Sequence, residues 1–329
     1  MAALFLIIAA AGLSRAEDLP FLKGVTVSCQ TWGGEWQTPE MAKTLDELKS
    51  LGANSFAIHP YARITNDGQV TFRVRDENRH ITVPLEWAHE RGMSAMLIPH
   101  IAYWGSKFSW RGDIKFETAE EWERFFTGYE TWIVEMARLA EAHRAAVFCV
   151  GLEYTHAQKF EQRWRKIIAA VRSVYSGKIT YGANWSDYQD VKFWDAVDYL
   201  GVLAYFPLTK ATNPSAAEIA AGWEKRCAEL HRFSERHGGK QFLFVEVGYN
   251  ENARAAAEPW SFDTGGEHAA AIQQRCLDAT LSLGAGKHPF LAGMFLWKWF
   301  PELPDDDVEN FRIQTPEIKA LLARHWRGQ

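Results

Sequence analysis

Residues 147–157 read VFCVGLEYTHA, and residues 241–250 read QFLFVEVGYN. Each carries a run of aromatic and β-branched residues of the kind that fills a buried strand. Each then sets a glutamate, Glu153 or Glu246, where the run leaves the core. A carboxylate beside a buried strand costs desolvation unless something there uses it. One such residue reads most simply as a loop or salt-bridge group. Two of them, in separate strands, ask for one architecture that brings strand ends together.

The rest of the chain supplies it. Strand patterns at Phe21–Cys29, Ala53–Pro60, Met93–His100 and Ala145–Val150 are followed by others at Lys178–Ala183, Tyr199–Tyr205, Lys240–Val247 and Phe290–Trp297. Helical patterns alternate with them at Pro39–Leu51, Pro84–Arg91, Glu120–His143, Phe160–Tyr175, Ala216–His237, His268–Leu283 and Pro316–His325, with short helical pieces in Tyr188–Ala196. The first helix carries its own punctuation: Thr38 as N-cap, Pro39 at the first helical position, and Gly52 closing the end. Eight strand–helix alternations predict an α/β fold, a single-domain (β/α)8 TIM barrel. A doubly wound open sheet would want fewer strands and a Gly-rich first turn, and VTVSCQTWGG contains no GxGxxG.

Composition narrows the class. At 329 residues, 47% hydrophobic and a formal net charge of −5, the chain is neither disordered nor equipped with the basic surface that nucleic acid requires. Residues 1–16 form an expected signal peptide: Leu4 to Leu13 is apolar but too short to span a bilayer, and Ser14-Arg15-Ala16 supplies small residues before the polar Glu17-Asp18. The usual basic n-region is missing, so a buried N-terminal helix is the alternative. Cleavage after Ala16 would leave residues 17–329 as the barrel domain, secreted or periplasmic. No other stretch approaches the length of a membrane span. Cys29, Cys149, Cys227 and Cys276 lack CxxC spacing and read as buried free thiols. No metal and no cofactor is expected, and the chain is expected to be a monomer.

In such a barrel the catalytic groups lie at the C-terminal ends of the strands. Glu153 and Glu246 then face one mouth, from strands four and seven. Trp32, His59, Tyr61, His100, Tyr103, Trp104, Asn184, Trp185, Tyr205, Trp297 and Trp299 follow other strands into the same region. The chain holds 15 tryptophans, and aromatics make up 14% of it. Carboxylates, hydrogen-bonding side chains and indoles together suit a sugar, whose ring has apolar C–H faces and a hydroxyl rim. Trp122, Trp132, Trp164 and Trp223 lie in helical patterns and read as packing. His59 and His100 read as hydrogen-bonding wall residues, because strand one carries no His-x-His metal motif.

These strand ends resemble clan A glycoside hydrolases, and within that clan family 113, the retaining β-mannanases. The resemblance runs from KGVTVSCQTWGG through HPYARI, PHIAYW, GLEYTHA, GANW, LAYFPL and VEVGY to FLWKWFP. It implies that Glu153 is the acid/base, Glu246 the nucleophile, and Tyr205 the phenol that orients the nucleophile. Much of the clan carries Asn directly before its acid/base, where this chain has Leu152; family 113 lacks that Asn too. The partner for a substrate 2-hydroxyl is therefore open, with Asn184 a candidate. The implied substrate is an oligo- or polysaccharide with β-1,4-linked mannose: mannan, glucomannan or manno-oligosaccharide. The phenol beside Glu246 implies that Glu153 is the member of the pair that keeps the proton.

Three other readings stand beside this one. The barrel could act on another β-linked glycan, or bind carbohydrate without cleaving it. It could instead hold a phosphate at Gly265-Gly266 before a helix, although Glu267 would repel one.

Overall fold

A computed structural model describes residues 19–73, 76–302 and 310–327. The expected signal peptide lies outside the described residues. Eight parallel strands close a barrel: β1 (Leu22–Val27), β2 (Ser55–Ile58), β3 (Ser94–Leu97), β4 (Val147–Leu152), β5 (Lys178–Asn184), β6 (Tyr199–Leu203), β7 (Phe242–Val247) and β8 (Leu291–Trp299). β1 pairs with both β2 and β8, which closes the ring.

Around it lie α1 (Pro39–Ser50), α2 (Arg79–Glu90), α3 (Ala119–Ala142), α4 (Glu161–Arg172), α5 (Ala216–Arg236), α6 (Ala269–Leu281) and α7 (Pro316–Arg327). The β5–β6 connection holds only two 3₁₀ turns, Tyr188–Asp190 and Trp194–Ala196. The two longest helices, α3 and α5, both begin in capping boxes, from Thr118 with Glu121 and from Ser215 with Glu218. Each box satisfies backbone N–H groups that the first turn cannot bond internally.

α2 departs from its sequence reading. Pro84 does not start this helix but lies inside it, because Ile81, Leu85 and Ala88 are buried at helical spacing and carry the helix across the proline. β2 and β3 are shorter than their apolar runs. Pro60 and Pro99 offer no N–H to a ladder, and the chain leaves the barrel at both. Past them, Tyr61–Ile64 and His100–Ala102 pair again in a small outer sheet that sets Tyr61 opposite His100. That sheet raises one wall of the barrel mouth.

Side chains alternate between two apolar layers. Ala57, Met96, Val147, Cys149, Leu243, Val245 and Phe295 fill the barrel interior, while Phe148, Val150, Phe242 and Phe244 face the helices. The interior is tight: a Cβ on Gly24 would sit 2.3 Å from the Phe295 ring. Among the described residues no helix is long and apolar enough to cross a membrane. Cys149, Cys227 and Cys276 are buried, Cys29 is half-buried, and all four are free.

Candidate active site

Glu153 follows β4 directly. The β4–β5 ladder slips between Cys149 and Leu152, and Glu153 has φ 62 while its N–H bonds the carbonyl of Gly182 at 2.8 Å. A left-handed backbone at a non-glycine residue costs on the order of 1–3 kcal/mol and collects at functional sites. β7 slips too, between Phe244 and Glu246 against β6. Ladder irregularities of this sort re-aim a side chain at a strand end. Both glutamates reach one cavity of about 660 Å³.

Glu246 is buried. Its Oε2 accepts from the Tyr205 hydroxyl at 3.2 Å, and its Oε1 has no hydrogen-bond partner among the described residues. His100 Nε2 lies 3.5 Å from that oxygen but off hydrogen-bond alignment, and it too lacks a partner. Two orphaned buried atoms facing each other mark a place for a third polar group. Burial pushes the Glu246 carboxyl up to about 8, the charge of Glu153 adds to this, and Arg111, the Tyr205 phenol and Lys298 oppose it.

The sequence reading missed Arg111. Its Nε and Nη2 both donate to Glu153 Oε2, at 3.1 and 2.8 Å. Burial works against the guanidinium charge, but Glu153 and Glu246 outweigh it and the group stays protonated. The ion pair ties Glu153 to a fixed cation, while Glu246 is the carboxyl whose burial favours the protonated form in the free site. Arg111 lies in the SWRGD stretch between β3 and α3. It has no periodic pattern to draw notice, and only a census of cations in the strand-end loops would have found it.

The remaining expected residues divide into three sets. Tyr103, Asn184, Trp185, Tyr205 and Trp297 line the cavity with the carboxylates, and Asn184 Oδ1 is buried without a partner. Trp32 and Tyr61 line an adjoining recess, and Trp104, 52% exposed, packs against both rings at its rim.

His59 is not on the surface of the cavity. It is fully buried, bonds Ser28 Oγ through Nε2 at 3.1 Å, and stacks beneath His100. Burial drives its basicity down to about 3, and Lys298 and Arg111 push the same way.

Trp299 is also displaced from its expected place. A register slip sets Trp297 opposite Thr26 but Trp299 opposite Val27, so the two indoles no longer share a face. Trp299 is fully buried in the layer between strands and helices, with Lys319 Nζ of α7 5.3 Å from its ring centre.

Trp110, Trp260, Phe262 and Phe311 complete the cavity wall and also escaped the sequence reading. Trp260 stacks on Trp185, with ring centres 5.1 Å apart and planes 19° apart. The signal for Trp260 and Phe262 was present in AEPWSFDTGG, where aromatic residues stand in a Pro/Gly loop without strand or helix periodicity. The Gly265-Gly266 turn is no anion cradle: the Gly265 N–H is spent on the Glu251 carbonyl, and the Gly265 carbonyl accepts from Ala253. Among the described residues no group of three potential metal ligands converges.

The sequence model of Glycoside Hydrolase Family 113 matches residues 25–311. Among solved structures, a family 113 β-mannanase from Alicyclobacillus acidocaldarius superposes with a TM-score of 0.81 at 27% identity, over 94% of this chain and 98% of that one. A second family 113 β-1,4-mannanase matches with a TM-score of 0.81 at 22% identity, over 94% and 100%. A family 5 mannosidase from Rhizomucor miehei shares the fold, with a TM-score of 0.62 at 11% identity over 94% of each chain. No curated protein sequence matches the chain significantly.

Proposed function

The chain belongs to glycoside hydrolase family 113, and on that premise we propose that it hydrolyses β-1,4-mannosidic linkages with retention of configuration. The observation that carries this reading is the pair itself: Glu153 and Glu246 face one cavity, and a phenol bonds one of them.

In the first step the ionised Glu246 attacks the anomeric carbon while protonated Glu153 gives its proton to the glycosidic oxygen. The C–O bond breaks, and a glycosyl ester of Glu246 forms. In the second step Glu153, now a carboxylate, takes a proton from water. The water oxygen attacks the anomeric carbon and releases Glu246.

The pair must hold one proton as the first step begins. Burial favours it on Glu246 in the free site, whereas catalysis uses the tautomer with the proton on Glu153. The two titrate as a unit, so the pH limits of activity belong to the pair. Tyr205 favours the ionised Glu246 by donating to it. Trp297 and the Trp185–Trp260 stack offer faces to pyranose rings, and Asn184 offers an unused acceptor. We place the activity outside the cytoplasm, on the apolar run and small residues of the first sixteen positions.

The test is a screen of the purified protein against mannan, glucomannan, xylan and cellulose oligomers with sizing of the products. Manno-oligosaccharides released from the first two support the reading. Release of reducing ends from xylan or cellulose alone, or from no substrate, overturns it.

A further inference from the structure

Glu153 sits on a backbone that fixes its Cα but leaves a side chain with three rotatable bonds, and a proton donor must be held within a fraction of an ångström of its target. Both donating nitrogens of Arg111 converge on the same atom, Oε2. Among the described residues, Oε1 receives no hydrogen bond.

Arg111 is itself well anchored. It opens the 3₁₀ turn Arg111–Asp113, whose Asp113 carboxylate accepts from the Ser109 hydroxyl, while Ile114 N–H bonds the Arg111 carbonyl at 3.2 Å and the Ile114 side chain is buried. The guanidinium is nearly buried, 14% exposed, and meets a carboxylate that is 16% exposed. A buried ion pair is a poor stabiliser for its cost in desolvation. It does fix one geometry.

We propose that Arg111 is the positioning residue of Glu153: it anchors Oε2, so that Oε1 is the oxygen that passes the proton to and from the substrate. This rests on the retaining reading given above. The titratable groups facing Glu153 are Arg111 from the β3–α3 loop, Glu246 from β7, Tyr205 past β6 and the neighbouring Tyr154. Arg111 is the cation among them and holds the Glu246 carboxyl down, so removing it makes the coupled pair give up its last proton less readily.

The experiment compares wild type, Arg111→Gln, Arg111→Lys and Glu153→Ala on mannotetraose and on an aryl β-mannoside with an activated leaving group, with and without azide. The activated group departs without a proton, so its kcat/KM does not need Glu153, whereas its kcat follows the second step, which does. For Arg111→Gln the expected result is a kcat on the aryl glycoside lowered about 10–100-fold. Its kcat/KM on that substrate stays within about twofold, azide recovers the lost kcat, and the alkaline limit on mannotetraose moves to higher pH. Arg111→Lys keeps the charge but not the two-pronged grip. It should therefore keep the alkaline limit and still show the azide-recoverable loss.

Equal losses in kcat and kcat/KM without azide recovery in both Arg111 variants would reduce Arg111 to a structural residue and overturn the proposal. If Glu153→Ala shows the azide signature and the Arg111 variants do not, the proposal alone falls. If Glu153→Ala behaves as wild type, the assignment of Glu153 falls and takes the proposal with it.

Discussion

The imidazole rings of His59 and His100 stack with centres 4.8 Å apart and planes 15° apart, both buried and neither charged. A protonated pair at that distance would be two like charges in a poor dielectric, so the stack is a structure of the neutral forms. Its position links catalysis to acid tolerance. His100 faces Glu246, and His59 fills the floor beneath it.

The first prediction follows from that stack. The His59 proton affinity is lowered in the fold, from an ordinary 6.5 to about 3. Its contribution to stability is therefore complete above pH 6.5 and lost as pH falls through 3. Thermal melts from pH 7 to 4 should show a shallower decline for His59→Gln than for wild type, whatever their difference at pH 7. Parallel declines would mean that His59 does not couple to the acid limb of stability.

Glu246 runs the other way. Its carboxyl is raised to about 8 by burial, so its contribution is complete below the unfolded value near 4.3 and lost as pH rises through 8. Glu246→Gln, which cannot ionise, should melt close to wild type at pH 4. It should gain a growing advantage up to pH 8, level beyond that, and lose about 10²–10⁴-fold or more in kcat. An advantage constant across that range would contradict the raised carboxyl.

Tyr205→Phe removes the hydrogen bond at 3.2 Å to Glu246 Oε2. That bond favours the ionised form, so its loss makes Glu246 harder to ionise and moves the acid limit of kcat/KM to higher pH. The rate should fall roughly 10²–10³-fold, in the range of other lost electrostatic contacts. An unmoved acid limit would show that the phenol acts on substrate rather than on Glu246.

Two tryptophans make a paired test of the cavity wall. An aromatic stack contributes about 0.5–1.5 kcal/mol beyond area burial. Trp260→Ala should therefore raise KM for long manno-oligosaccharides roughly two- to tenfold and leave an aryl mannoside unaffected. Trp299→Ala should cost about 3–5 kcal/mol of stability, as large aromatic deletions from cores do, with KM of the folded fraction unchanged. The reverse pattern would return Trp299 to the substrate surface.

The barrel was legible because its signals are periodic: eight apolar runs with caps and glycines between helices have few closed solutions. Glu153, Glu246 and Tyr205 were legible for the same reason, since strand ends in a closed ring must share a mouth. What escaped was aperiodic. The register slip in β8 separates Trp297 from Trp299, and no pattern of residue types announces a slip. Arg111 and Trp260 come from loops whose paths are set by packing against distant strands. His59 looked like a wall residue because strand position gives direction but not depth.

The 3₁₀ connection between β5 and β6 has a consequence for isotope exchange. No α-helix links the two strands, and the segment is held between α4 and α5, with Trp164 stacked on Phe193 and Phe233 against Tyr188. Trp194 Nε1 bonds the Tyr188 carbonyl, Arg165 bonds the Lys192 carbonyl, and Lys240 reaches the carbonyls of Trp194 and Val197. These bonds satisfy acceptors, whereas amide exchange is slowed by bonds that engage the donors, as at Asp187, Asp190, Ala196 and Asp198. The segment also packs rigidly, with Phe193 and Trp194 buried against Tyr181. The other amides of this connection should thus take up deuterium early while the side chains around them stay fixed, a patch of fast labelling on an immobile wall.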